Sequence, residues 1–488
     1  MDEACGHYCG VAGVYGIEDA ASVTWLALHA LQHRGQESAG IVTSDGHKMR
    51  AIKGMGLLAN AVPTDRLHEL PGHAAVGHVR YSTSGASKTH NVQPLVIDYS
   101  EGRLALAHNG NLVNARMLRD EYEAWGSIFQ TSTDSEILVH LMAKPSHVGK
   151  KNNLGHCLNH ISGAYCFVIL RNDCLQAARD PQGFHPLCLG RLDNGYMVAS
   201  ETVAFDIVGA KFLREIEPGE MITIDKNGLR SERFAPPERI KPAHCIFEHI
   251  YFARPDSRIF GECVHKVRYR LGVNLAKETH VDADIVSAIP DSGWSAAMGY
   301  AFQAGMHLDR SFIRNHYIGR TFLAPAQKQR AQAVGLKHNV IADVVRGQRL
   351  ILIDDSLIRG TTTVRLVKRL KECGAKEVHL RISCPPNMFP CFYGIDFPTR
   401  AELLAANHSI PDMEKILGVD TLRYISMEGM MSAVSLPPDH YCCACFNGKY
   451  PVKVEDDLTN KLGMDADGAA DASDEAAPDI KFPRTEKC

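Results

Sequence analysis

The sequence predicts a two-domain protein, α+β in its first half and α/β in its second, followed by a tail without a core. Three observations carry that expectation. Short apolar runs between turns dominate residues 9–240, strands alternate with helix starts over residues 245–451, and the composition changes abruptly after residue 455.

In the first half, "CGVAGVYG" (Cys9–Gly16), "HAAVGHVRYS" (His73–Ser82), "LALAHNG" (Leu104–Gly110) and "AYCFVIL" (Ala164–Leu170) read as strands. "AASVTWLALHALQHRG" (Ala20–Gly35) spaces apolar residues as a helix does and ends on glycine. "SERFAPPERIKPAHC" (Ser231–Cys245) is polar, carries Pro236, Pro237 and Pro242, and marks a boundary between domains 9–240 and 245–451. Beyond it, "ADIVSAIPDSG" (Ala283–Gly293) and "QRLILIDDSLIRGTTT" (Gln348–Thr363) each read as buried strand, polar turn and helix start, the pattern of a parallel sheet. "MDADGAADASDEAAPD" (Met464–Asp479) is acidic and lacks large apolar residues, so residues 455–488 are expected to be disordered.

Composition excludes several function classes. The chain has 488 residues, 45% hydrophobic and 22% charged, and a formal net charge of −3, so no basic field points to nucleic acid. No apolar run reaches the roughly 18 residues of a membrane span, and the start does not read as a secretory signal. Fifteen cysteines in such a chain point to reduced thiols used for catalysis or metal binding, and to the cytoplasm.

The sharpest chemical signal is "LILIDDSLIRGTTT" (Leu350–Thr363). Asp354 and Asp355 stand at the carboxyl end of a strand, where open α/β sheets bind ligands. Adjacent carboxylates suit ribose hydroxyls or Mg²⁺. Gly360 lets the backbone approach a phosphate, and the helix that "RGTTT" opens offers free N–H groups and threonine hydroxyls. This stretch resembles the phosphoribosyl-diphosphate (PRPP) loop of type I phosphoribosyltransferases. The resemblance implies that Asp354, Asp355, Ser356, Arg359, Gly360, Thr361 and Thr362 bind PRPP, and that Ser292 in "IPDSG" joins Asp354 and Asp355 at Mg²⁺. "RNHYIGRTFLAPAQKQR" (Arg314–Arg330) suits a cationic lid over a diphosphate, with His316 where a cation is expected, Gly335 where a long residue is commoner, and Arg314 and Arg320 retained.

Five stretches in the first half, "CGVAGVYG", "LQHRGQESAGI" (Leu31–Ile41), "VGHVRYSTSG" (Val76–Gly85), "AHNGNLVN" (Ala107–Asn114) and "TSTDSE" (Thr131–Glu136), together resemble the class II glutamine amidotransferase domain of the N-terminal nucleophile (Ntn) hydrolases. The fold implied is an αββα sandwich. Releasing ammonia from glutamine needs a nucleophile, a base, a clamp for the amino-acid end and donors for the oxyanion. By resemblance, Cys9 is the nucleophile, Arg80 binds the α-carboxylate, Asp134 the ammonium, and Asn109 with the Gly110 N–H forms the oxyanion hole. An N-terminal cysteine can use its own α-amine as base, since that amine titrates near about 7.7–8.0. Residues 1–8 are therefore expected to be a propeptide cleaved between Tyr8 and Cys9, taking Cys5 with it. The strand after Cys9 is expected to use its glycines to pass beneath a substrate.

The two halves in this order resemble the amidophosphoribosyltransferase family over about Cys9–Pro451. "IYFARPDS" (Ile250–Ser257) and "CFYGIDFPT" (Cys391–Thr399) also match it. That implies transfer of ammonia from glutamine to C1 of PRPP, the first committed step of purine synthesis, with one Mg²⁺ per subunit, purine nucleotides as inhibitors and a homotetramer. "YCCACFNGKYP" (Tyr441–Pro451) holds a C-x-x-C spacing for a soft metal. The cluster-bearing members imply Cys245, Cys391, Cys442 and Cys445 as ligands of one [4Fe-4S] cluster per subunit. Local spacing does not choose these over Cys443 and Cys384, and four thiolates also suit Zn²⁺. Cys157, Cys166, Cys174, Cys188, Cys263 and Cys373 read as small buried residues. Two alternatives are a class II amidotransferase with another acceptor, for which a PRPP loop has no use, and a PRPP-sensing regulatory protein, for which a basic DNA-reading module is missing.

Overall fold

The computed structural model describes residues 9–81, 89–150, 152–315, 338–395, 397 and 399–454. The expected propeptide, the "STSG" end of one amidotransferase motif, most of the cationic lid including His316, Arg320 and Gly335, and the acidic tail lie outside the described residues.

Two antiparallel sheets build the first half. The seven-stranded sheet runs, in spatial order, Lys211–Glu215, Cys188–Leu192, Gly195–Ala199, Gly10–Tyr15, Ala74–Arg80, Ser38–Ser44 and Met49–Met55. The six-stranded sheet runs Gly228–Arg233, Glu220–Asp225, Cys174–Arg179, Gly163–Arg171, Gly102–Leu112 and Leu95–Tyr99. Val11, Val76, Ala107, Val168, Leu175 and Ile222 fill the space between the sheets. Helices Ala20–Ala30 and Val203–Val208 cover the outer face of the first sheet, setting Leu28 and Phe205 in one cluster with Ala12 and Val14. Helices Ala115–Ala124, Glu136–Ala143 and Asn153–Leu158 cover the second, setting Leu118 and Ile137 in one cluster with Leu106 and Phe167. The result is an αββα sandwich. Because both faces of its central strands are buried, "GVAGVY" is apolar at every position instead of alternating.

Two local readings change. A Cβ at Gly13 would lie 2.7 Å from Val168 Cγ1, so this glycine serves the packing of sheet on sheet and not passage beneath a substrate. The first helix stops at Ala30, short of Gly35. Gly35 lies against the backbone of Val79, where a Cβ would come within 2.6 Å of the carbonyl, and the chain must leave the helix to reach it.

The second half holds four parallel strands in the order Ile285–Ala288, Arg349–Asp354, Glu377–Ile382 and Thr421–Tyr424. Helices Val264–Thr279, Trp294–Ala304 and Thr361–Glu372 pack on them through Leu271, Ala297 and Leu366. The halves share one apolar junction, to which Val113, Ala164 and Phe184 contribute from the first half. Phe184 stacks on Tyr393 with ring centroids 4.3 Å apart.

Candidate active sites and a buried thiol cluster

Cys9 immediately precedes the strand Gly10–Tyr15, whose first residue faces Val79 in the neighbouring strand. That register sets Cys9 beside Arg80, at the end of its own strand. The thiol is buried and donates to the Tyr81 carbonyl at 3.6 Å. Burial pushes it up to about 11; Arg80 opposes the shift, while Glu37 and Asp134 add to it. A thiol in this position is protonated near neutrality and needs a base at the moment of attack.

Arg80 is buried and donates from Nη1 to Glu37 Oε1 at 3.2 Å. The Glu37 N–H donates to the Arg80 carbonyl at 3.0 Å, so side chain and backbone hold the pair together. Glu37 lies in "LQHRGQESAGI", a stretch whose individual side chains the sequence reading left without roles. Asp134 precedes helix Glu136–Ala143. Its Oδ2 accepts the Leu112 N–H at 2.9 Å and its Oδ1 accepts the Ser135 hydroxyl at 3.3 Å. His108 Nδ1 meets the same hydroxyl at 2.8 Å, and the ring stacks on Phe167. These fixed contacts orient the carboxylate.

Asn109 and Gly110 lie in the strand Gly102–Leu112, opposite Cys166 and Tyr165. Asn109 is fully buried, and neither its amide nitrogen nor its amide oxygen has a partner among the described residues. Such an amide costs about 1–3 kcal/mol unless something binds it, which fits a donor held ready for an oxyanion. Gly110 has φ +144°, and a Cβ there would lie 2.0 Å from the Ala164 carbonyl oxygen, so only glycine fits. Arg80 and Asp134 thus both act on the Cys9 thiol, and Asn109 and Gly110 lie just before Leu112, whose N–H holds Asp134.

In the second half, Asp354 ends its strand and Asp355 follows, both buried. Burial and the adjacent Asp355 hold the Asp354 carboxyl well above the usual range. Burial also raises Asp355, against the pull of hydroxyls from Ser292 and Ser356 and of the Arg268 guanidinium. Ser356 Oγ donates to Asp355 Oδ1 at 2.6 Å. Arg268, missed by the sequence reading, is buried and anchored to the His249 and Ala253 carbonyls at 2.7 and 2.8 Å. Gly360 takes φ +80° at the start of helix Thr361–Glu372, with Thr361 exposed and Thr362 half-buried in its first turn. Arg359 is turned outward into a pair with Glu402 at 2.7 Å. Arg314 pairs with Asp291 at 2.5 Å, beside the "IPDSG" turn.

The cysteines converge from three segments. His244–Cys245 pairs in parallel with Tyr441–Cys442, setting Cys245 opposite Cys442. Cys445 feels Cys245, Cys442 and Cys391 electrostatically, and Cys443 least of all, and all five side chains are buried. Cys443 instead turns its sulfur to Met431 Sδ at 3.8 Å, and Cys384 donates to the Pro385 carbonyl at 3.3 Å. Of the six cysteines expected to be buried, Cys157, Cys166 and Cys188 are, whereas Cys174, Cys263 and Cys373 are half-exposed. Cys174 and Cys263 lie in strands and Cys373 caps a helix, all places where solvent still reaches.

Known proteins resemble this chain along most of its length. The model of a glutamine amidotransferase domain matches residues 78–206. An amidophosphoribosyltransferase of Bacillus subtilis is 47% identical over 454 residues, covering 92% of this chain and 95% of the relative. One from Archaeoglobus fulgidus is 44% identical, covering 91% and 98%. The solved structure of the B. subtilis glutamine PRPP amidotransferase complexed with ADP and GMP aligns with a TM-score of 0.86 at 46% identity, over 92% of this chain and 98% of that one.

Proposed function

Since this chain belongs to the amidophosphoribosyltransferase family, we propose that its two sites divide the family reaction between them: Cys9 frees ammonia from glutamine, and the Asp354–Asp355 site transfers it to PRPP. The enzyme is a pentosyltransferase (EC 2.4.2.14) of purine synthesis that converts PRPP, glutamine and water to 5-phosphoribosylamine, glutamate and diphosphate. The observation that carries the division is the fully buried, unpartnered Asn109 amide beside Gly110 in the domain that presents Cys9.

In the first site, Arg80 holds the glutamine α-carboxylate and Asp134 its ammonium. The Cys9 sulfur adds to the side-chain carbonyl, whose oxygen gathers charge that Asn109 and the Gly110 N–H stabilise. Ammonia leaves, and water then releases glutamate from the thioester. The thiol has a carbonyl as its hydrogen-bond partner, and a carbonyl cannot take a proton. A free α-amine on Cys9 supplies that base, which requires removal of residues 1–8. The N-terminal mass of active enzyme tests this: a chain beginning at Cys9 is expected, and an intact Met1 or a start at Cys5 in fully active protein contradicts it.

In the second site, two adjacent desolvated carboxylates and the Ser292 hydroxyl fit a divalent cation, whose positive charge relieves their repulsion. Mg²⁺ bound there neutralises diphosphate charge. The first turn at Gly360, Thr361 and Thr362 receives a phosphate, Ser356 steadies Asp355, and Arg359 must leave Glu402 to join. Ammonia reaches this site through the junction of the halves, where Asn111 Nδ2 donates to the Phe392 carbonyl at 2.9 Å.

Cys245, Cys391, Cys442 and Cys445 fit a four-thiolate group. A zinc site with Zn–S bonds of ~2.3 Å draws sulfurs to ~3.8 Å apart. The resemblance to cluster-bearing members of the family favours a [4Fe-4S] cluster over zinc, and it would tie Cys391 to the paired segments 244–245 and 441–442. Met298 and Phe302, exposed on one helix at 46% and 74%, suit a subunit contact in a homotetramer. Purine nucleotides are the inhibitors proposed, and the cytoplasm the location. Among the described residues, no helix is long and apolar enough to cross a membrane.

A further inference from the structure

On the outer side of the amidotransferase half, His147, His156 and His160 bring ring nitrogens within 4.8 Å of one another. Neither reaction site uses these residues. His156 lies in helix Asn153–Leu158 and His160 follows four positions later, a spacing that sets two imidazoles on one side of a helical turn. His147 comes from the segment after helix Glu136–Ala143 and is buried. Its Nδ1 donates to the Leu141 carbonyl at 2.9 Å, which fixes the tautomer and leaves the lone pair on Nε2.

The His156 and His160 Nε2 atoms are 3.4 Å apart. Two Zn–N bonds of ~2.0–2.1 Å in a tetrahedron span an edge of ~3.3–3.4 Å. The His147 ring sits edge-on to His156 with centroids 4.5 Å apart, and nearly parallel to His160 at 5.2 Å. The Lys150 ammonium, on an exposed loop, already donates to His156 Nε2 at 2.8 Å. His156 Nε2 has one lone pair, yet both a cation and a second ring crowd it.

The geometry points to a three-histidine site for a borderline divalent transition metal such as Zn²⁺, with Lys150 turned aside and water completing the shell. Imidazole donors suit zinc and its neighbours in the first transition row and not Mg²⁺ or Ca²⁺. The bound ion clips the 144–150 segment to helix Asn153–Leu158. It thereby braces the far end of helix Glu136–Ala143, which starts just after Asp134.

The test compares purified wild-type enzyme, carrying its thiol-bound metal, with the double variant H156A/H160A, changed at a half-buried and an exposed position. Both are equilibrated with Zn²⁺ and desalted. Wild type is expected to retain about one zinc per chain more than the variant, with nitrogen or oxygen neighbours near ~2.0 Å by X-ray absorption. Iron content, circular dichroism and both activities are expected to be equal in the two proteins. Equal zinc retention, or an excess zinc surrounded by sulfur near ~2.3 Å, overturns the site.

Discussion

Arg34 of the first half grips Glu248 of the second with two hydrogen bonds, from Nη1 at 3.2 Å and Nη2 at 2.6 Å, and all three side chains of the node Arg34–Glu201–Glu248 are shut from solvent. Arg34 Nε also pairs with Glu201, which accepts the Arg254 N–H at 2.9 Å and the Ser257 hydroxyl at 2.5 Å. One guanidinium thus bridges two carboxylates at the junction of the halves, with His33 also on Glu201 at 2.7 Å and His185 on Glu248 at 3.4 Å.

Replacing Arg34 by Met should leave both carboxylates buried without their cation, at a cost of about 3–5 kcal/mol. Despite the cost of burial, the attraction of Arg34 holds Glu201 and Glu248 below the usual carboxylate range. A depressed carboxyl stabilises the fold above its unfolded value, about 4.3, and loses that contribution as pH falls through its folded value. The wild-type advantage should therefore be largest at neutral pH and shrink in acid. Thermal unfolding of both proteins from pH 8 to pH 4 measures it, and a gap that does not vary with pH contradicts the role of the node.

That node was not legible in the sequence. Its partners are separated by 167 and 214 residues, and no local pattern signals such a pair. "LILIDD" was legible because a four-residue apolar run ending in two acids is a local pattern, and the strand Arg349–Asp354 follows it closely. The αββα layers followed from motif resemblance, since strands buried on both faces carry no alternation to read. Gly35 was visible, but its reason, contact with the Val79 backbone, exists only after folding. For the thiols, spacing left Cys443 and Cys384 open, and only the directions of those side chains separate them from the four that converge.

Asn109→Ala should reduce glutamine-dependent turnover by about 10²–10³-fold, the usual loss of one oxyanion donor. Ammonia-dependent synthesis should be unchanged, because that reaction bypasses the amide. Removing an unpartnered buried amide should also leave thermal stability equal or higher. Steady-state rates with each nitrogen source decide the matter; an equal fall in both rates counts against the assignment.

Asp354→Ala and Asp355→Ala should each lower both activities by about 100-fold or more, since the lost contact with the cation serves PRPP in either reaction. Ligand-free Asp354→Asn should melt higher than wild type, as one of two crowded buried carboxylates becomes neutral. Unaltered PRPP binding by calorimetry in either alanine variant contradicts the role.

Anaerobically purified protein should be brown and hold about four iron atoms per chain. Cys442→Ser and Cys245→Ser should lose iron and melt at lower temperature, while Cys443→Ser and Cys384→Ser keep it. A colourless zinc protein, or iron loss in the second pair of variants, contradicts the four-thiol assignment.

The division of labour between the sites is tested most directly by Cys9→Ala, assayed for 5-phosphoribosylamine from PRPP with glutamine and, separately, with ammonium salt. Glutamine-dependent synthesis should fall by ~10³-fold or more, as expected for loss of a nucleophile, while ammonia-dependent synthesis stays within about twofold of wild type, a margin far below one decade of rate. Loss of both activities in a folded, iron-loaded variant, or survival of the glutamine-dependent one, would contradict it.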